Sequence, residues 1–198
     1  MTNPAPRVPQ HPVHPIFPER WSPRAFTGEA IAEGVLASLF EAARWAPSAY
    51  NSQPWRFIYA HRATSSWEPI FACLSEFNRS WVQRAAAVVV VTSRQQAVFP
   101  GRQAAEPNPW HAFDAGAAWL SIALQASLSG WAAHAMAGFD AHALGVAIGL
   151  PQDCHIDAVV AVGRQGKKEL LPAALQEREA PNARLALDEI IQEGAFKS

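Results

Sequence analysis

Cysteine is scarce in this chain. Cys73 and Cys154 are the only two in 198 residues, and neither sits in a CxxC spacing. That excludes a disulfide scaffold, so the expectation is two reduced, largely buried thiols in a cytoplasmic protein. Charge is also sparse: 16 basic residues stand against 17 acidic ones, for a net charge of −1, and no basic run breaks the balance. Nucleic acid is therefore not an expected partner. No apolar stretch reaches the roughly 18 residues of a membrane span, since His, Gln or Ser interrupts each candidate. The familiar catalytic signatures are missing too, with no GxGxxG after a strand, no GxxxxGK[ST] and no GxSxG elbow. His134, His142 and His155 lack metal-triad spacing, and His111-Ala-Phe-Asp114 matches no motif. Each histidine reads as packed or solvated. A chain with no obvious nucleophile or metal can still run hard chemistry on a borrowed cofactor.

Apolar residues make up 49% of the chain and charged residues only 17%, against a usual charged share of about 25%. With eight tryptophans, this implies that another subunit covers part of the apolar surface. The length suits one domain with a substantial core, over residues 18–198. Residues 1–17 are Pro- and His-rich with no apolar signal core, and read as a flexible arm. His11 and His14 have no third ligand nearby, so a solvated tail is expected.

The remaining pattern alternates helix and strand. Thr27 can cap a helix over Glu29 to Trp45, with Ile31, Val35, Leu36, Leu39, Phe40 and Ala43 on one face. Trp55 to Ala60 reads as a strand, Trp67 to Phe77 as a second helix, and Val88 to Val91 as part of a strand buried on both faces. Phe99 to Trp110 has three prolines and no periodicity; it is either a surface loop or a lid whose Phe99, Trp110 and Phe113 face a ligand. Phe113 to Ser129 is apolar almost all round and should be the central buried helix, closed by Gly130. Asp140 caps a short helix through Ile148. Ile156 to Gly163 is another buried strand, and Leu185 to Ile191 closes the chain as a short apolar segment. One α+β or α/β domain follows, its sheet covered by helices.

Three polar clusters stand out. Arg20-Trp21-Ser22-Pro23-Arg24 offers two guanidiniums and a hydroxyl within five residues, which suits a phosphate because the planar fork donates paired charge-assisted hydrogen bonds. Ala46 to Trp55 (Ala-Pro-Ser-Ala-Tyr-Asn-Ser-Gln-Pro-Trp) is a connector rich in Ser, Asn and Gln and pinned by two prolines. Asn78-Arg-Ser-Trp81 precedes the valine run.

Together these motifs resemble the FMN-dependent nitroreductase family. So do Asp114-x-Gly116 opening an apolar helix, Gly130 closing it, Gly138-Phe-Asp140, Val162-Gly163, and Arg184-x-x-Leu-x-Glu189. The landmarks run in the family's order over roughly residues 18 to 192. The resemblance implies an α/β sandwich with a mostly antiparallel central sheet, built as a homodimer with FMN at the subunit interface. Arg20, Trp21 and Ser22 would sit at the FMN phosphate, with Arg184 completing the clamp and Arg178 or Arg164 as alternatives. Arg24 would lie at the pyrimidine edge, where a positive charge stabilises reduced flavin, and Asn78 would bond the same edge. Pro47, Ser48, Ala49 and Asn51 would approach from the second subunit. Ala137 and Gly138 would present backbone groups near N5 and O4; some members carry glutamate where Ala137 stands. The implied activity is ping-pong transfer of hydride from NAD(P)H through flavin N5 to a nitroaromatic, quinone or related small acceptor. Alternatives are an FMN storage or delivery protein without NAD(P)H turnover, or a narrower reaction such as enal reduction, dehalogenation or flavin breakdown.

Overall fold

In the computed structural model, which describes residues 7–196, the valine run lies at the centre of the protein. The chain begins with α1 (Ile16–Glu19), α2 (Glu33–Arg44), β1 (Trp55–His61), α3 (Trp67–Phe71), α4 (Glu76–Val82) and β2 (Ala87–Arg94). There follow the small hairpin β3 (Gln96–Ala97) and β4 (Glu106–Pro107), then α5 (His111–Leu128), β5 (Ala132–Met136), α6 (Ala141–Ala147), β6 (Cys154–Gly163), α7 (Ala173–Gln176) and α8 (Leu187–Ile190). The main sheet has the order β1-β2-β6-β5, and every neighbouring pair is antiparallel. This is the α+β sandwich the sequence implied.

Side chains alternate across a strand, so an unbroken valine run is stable only where both faces are covered. Val89 and Val91 meet Leu36, Leu39 and Ala43 of α2 and Ala118, Ile122 and Ala126 of α5. Val88 and Val90 meet the opposite layer, with Trp67 and Ile70 of α3, Trp81 of α4, Leu144 of α6 and Leu175 of α7. Asp140 caps α6 by accepting the Ala143 amide at 2.9 Å. Gly130 takes φ +73 just past the end of α5, as a closing glycine should.

Four expectations need correction. Thr27 does not cap α2; its hydroxyl closes a tight turn on the Glu29 amide at 3.1 Å. The helix starts at Glu33. The helix expected over Trp67 to Phe77 is two helices, because Leu74 leaves to bridge Phe139 and Ser75 then caps α4 through the Asn78 amide at 3.3 Å. Asn78 therefore lies inside α4 rather than after a helix. The apolar helix α5 is buried along only one side, with Phe113 80%, Leu120 45% and Leu128 63% exposed. Finally, Cys73 and Cys154 are free but half-buried rather than buried.

Among the described residues no helix is long and apolar enough to cross a membrane. The described part of the expected arm, residues 7–17, lies against the C-terminal segment, where the Leu187 amide donates to Gln10 Oε1 at 2.7 Å. Ile122 is fully buried between α5 and the sheet. Ile122→Ala should cost about 2–5 kcal/mol through lost transfer energy and the cavity left behind, read as a lower midpoint in denaturant unfolding.

Candidate functional site

The segment from Arg20 to Arg24 runs past β5 into an isolated bridge between Phe26 and Gln165. It is held on both sides. Glu179 Oε1 accepts the amides of Arg24 at 2.7 Å and Ala25 at 2.8 Å, and His134 Nδ1 meets the Pro23 carbonyl at 3.0 Å. Because only a protonated nitrogen can donate to a carbonyl, this contact sets the tautomer of His134 with hydrogen on Nδ1. Burial is the main cause pushing the His134 pKa below its ordinary range, and nearby Arg24 and Arg20 act in the same direction; the Pro23 bond opposes them.

The side chains of this segment line a cavity of about 160 Å³. Arg20, Trp21, Ser22, Arg24 and Arg184, all singled out from sequence, meet there. So do Arg7, His134 and Asn182, which the sequence does not assign to this site. Arg178, the alternative to Arg184, lines the cavity as well. Arg164 is not: it stacks over Trp131 at 4.6 Å and pairs with Glu29 at 2.8 Å. Five arginines thus converge, and among the described residues no Asp or Glu lines the cavity. Desolvation, then Arg184 and Arg7, push the Arg20 pKa below the usual guanidinium range. Such an arrangement is complementary to an anion. Arg24 Nε is buried and without a hydrogen-bond partner, a cost that a ligand acceptor would remove.

Next to this cavity lies a backbone cradle. Asn78 Nδ2 donates to the Gly138 carbonyl at 2.9 Å, and the Ser75 amide donates to the same oxygen at 2.9 Å. Glycine is required here, since a Cβ on residue 138 would stand 2.7 Å from Asn78 Nδ2 and 3.0 Å from Ser75 Oγ. With that carbonyl engaged inside the protein, Ala137 and Gly138 have amide N–H groups to offer a ligand. Trp81, one turn after Asn78, packs its ring 4.7 Å from His134 and joins the cradle to the arginine cavity. Its indole nitrogen is buried without a partner.

Pro47, Ser48, Ala49 and Asn51 are not brought to this cavity. Their loop is pinned at the start of α5, where buried Asp114 accepts the Ala49 amide at 3.1 Å. Arg20 and Trp21 instead share a small cavity with Ala123 and Ser127 near the end of the same helix. Asp114 lies nine to thirteen residues from Ala123 and Ser127 on that helix, about 14–20 Å along its axis at 1.5 Å per residue, so within one subunit the loop and the arginine segment are held apart. The loop is strained: Tyr50, Asn51 and Gln53 all take positive φ, at 51°, 54° and 46°. Non-glycine residues adopt that region at a cost that must be offset by their surroundings, and they gather at functional sites. Tyr50 meets Phe99 at 5.3 Å and Trp110 at 6.1 Å, and Phe99 meets Trp110 at 6.2 Å. The result is an aromatic triangle beside the loop. Among the described residues no group of three His, Cys, Asp or Glu could hold a metal.

Comparison with known proteins bears on the family and the fold. Residues 18–164 match the profile described as "Nitroreductase family". A solved structure described as an oxidoreductase containing FMN is 40% identical, with a TM-score of 0.92, and the match covers 100% of this chain and 99% of that one. The NADH dehydrogenase of Thermus thermophilus is 28% identical over 202 residues, 87% of this chain and 91% of the relative. A provisionally named NADH dehydrogenase/NAD(P)H nitroreductase of Streptomyces coelicolor is 31% identical over 91 residues, 46% of this chain. There the chain spans only 45% of the relative's length.

Gly138→Ala should destabilise the fold by about 1–3 kcal/mol, the scale of overpacking, because Asn78 and Ser75 must both move. Chemical denaturation of the purified variant measures this, and an unchanged midpoint would show that the cradle is looser than drawn here.

Proposed function

The chain belongs to the nitroreductase family, and we propose that it is an oxidoreductase that holds FMN and uses NAD(P)H to reduce a nitroaromatic, quinone or related small acceptor. The observation that carries this reading is the cavity of five arginines without an acid, with the buried, unpartnered Arg24 Nε beside it. When bound, FMN supplies two-electron chemistry between NAD(P)H and the acceptor. The residues present fit it. Arg20, Arg184 and Arg178, with the Ser22 hydroxyl, hold a phosphate monoester by paired charge-assisted bonds. Arg24 would give its free N–H to an acceptor on the pyrimidine edge, where its charge would stabilise electron-rich flavin. Asn78 fixes the backbone at Gly138 and would act beside Arg24, and the amides of Ala137 and Gly138 would be the donors toward the reacting edge. No side chain is assigned a covalent role.

A homodimer completes the site. Phe113, Leu120 and Leu128 leave an exposed apolar stripe along α5, and stripes of that kind mark interfaces. Two-fold packing along it would carry Pro47, Ser48, Ala49 and Asn51 of one copy toward the arginine cavity of the other, since each subunit holds the two groups at opposite ends of α5. The aromatic triangle favours the lid reading of residues 99–110 and a flat aromatic acceptor, because stacked rings add attraction beyond the area they bury. A cytoplasmic setting, with both thiols reduced, belongs to the same reading.

The purified protein should be yellow, bleach anaerobically with NADPH or NADH, and regain colour on addition of an acceptor. A protein that stays colourless and takes up no FMN overturns the proposal, and one that binds FMN but oxidises no NAD(P)H above the free-flavin rate is a carrier instead. Leu120→Glu, placed on the exposed stripe, should shift sedimentation from dimer toward monomer and lower FMN occupancy with it. Full occupancy in a monomer would count against a shared site.

A further inference from the structure

We propose that Arg7 is a ligand of the cofactor phosphate, and that residues 7–10 close over the arginine cavity as one jaw of a clasp whose other jaw is the C-terminal segment from Arg178 to Leu187. The proposal rests on the FMN reading of that cavity. Arg7 lines the cavity together with Arg184, and its Nη1 donates to the backbone carbonyl of Arg20 at 3.0 Å. Its guanidinium is thereby anchored by one nitrogen while the rest of the fork stays available. Arg20 in turn donates to Ser22 Oγ at 3.4 Å, so the three groups are neighbours. Three like charges have been brought together in a partly desolvated space. Desolvation and then Arg184 lower the Arg7 pKa, and the same repulsion acts on Arg20.

What holds the N-terminal segment there is not apolar packing. Arg7 is half-buried and residues 8–15 are exposed throughout, Val8 and Val13 included. Among the described residues, the segment is tied by the Arg7–Arg20 bond and by Gln10 Oε1, which accepts the Leu187 amide across 177 positions of sequence. Each such bond contributes about 1 kcal/mol net, whereas ordering backbone costs about 1–2 kcal/mol per residue. Two polar bonds do not offset that cost against repulsion from Arg184. A phosphate monoester, carrying about −1.5 to −2, turns the repulsion into attraction and supplies what is missing. The segment that read as a plain arm is therefore part of the binding site, closing when the anion is present.

The test is flavin fluorescence titration of the full-length apo-protein, using FMN and, as a probe without phosphate, riboflavin. Arg7→Ala should raise the FMN dissociation constant about tenfold, the scale of one charge-assisted bond. Arg7→Lys should recover part of the loss, and riboflavin affinity should not change. Gln10→Ala cuts the tether to Leu187 without removing charge, so it should speed trypsin cleavage after Arg7 in the FMN-bound protein. Arg20→Ala is the control for the site itself. If Arg20→Ala weakens FMN binding while Arg7→Ala does not, the clasp is wrong and the FMN site stands. If neither variant changes FMN affinity, both readings fall. Equal losses for FMN and riboflavin in Arg7→Ala would overturn the phosphate contact, and a Gln10→Ala protein cleaved no faster than wild type would overturn the tether.

Discussion

One carboxylate oxygen, Glu179 Oε1, accepts two successive backbone amides, those of Arg24 and Ala25, and the anion site depends on this contact. Guanidiniums packed without an acid push one another apart, and long flexible side chains relieve that repulsion by swinging into water. They stay convergent only if the backbone beneath them is fixed. Glu179 fixes it from one side and His134, through the Pro23 carbonyl, from the other. The carboxylate bonds to amides rather than to guanidiniums, and its residue is not among those lining the cavity. His134 holds its carbonyl as a neutral ring, because burial disfavours its protonated form.

The same separation of tasks appears at the opposite end of α5. Asp114 is buried in the first turn of the helix and accepts the Ala49 amide, at the end where the helix dipole favours negative charge. That bond helps to hold a loop whose Tyr50, Asn51 and Gln53 occupy a sparsely populated backbone region. Rigid polar anchors thus carry both halves of the site, and a largely aliphatic core sets the distance between them.

Much of this was legible in the sequence where the cause is local. The valine run, the Asp140 cap, the glycine after α5 and the apolar face of α2 each follow from a period or a single side-chain bond. Failures came where a distant partner decides the outcome. The break before Ser75 exists because Leu74 pairs with Phe139, 65 positions away by numbering. Nothing near Thr27 announces that its hydroxyl turns the chain instead of starting a helix. Composition could not say which side of α5 would stay uncovered within one subunit, although the low charge content hinted that some apolar surface would. Arg20, Ser22 and Arg24 were visible because they are close together in sequence. Arg7 and His134 were not, since each is an ordinary residue until the fold brings it to the cavity, and Arg178 entered only as an alternative to Arg184.

The bonds from Arg24 and Ala25 to Glu179 span 155 and 154 positions of sequence. Closing so long a loop is costly in chain entropy before any contact rewards it, and contacts of that separation form late in folding. A chain emerging from the ribosome can order its helices and much of its sheet while the anion cavity still lacks a wall. On the proposed reading, the cavity gains its phosphate-binding wall only after residues 178–184 have been made and docked, so loading of the cofactor reports that these long loops have closed.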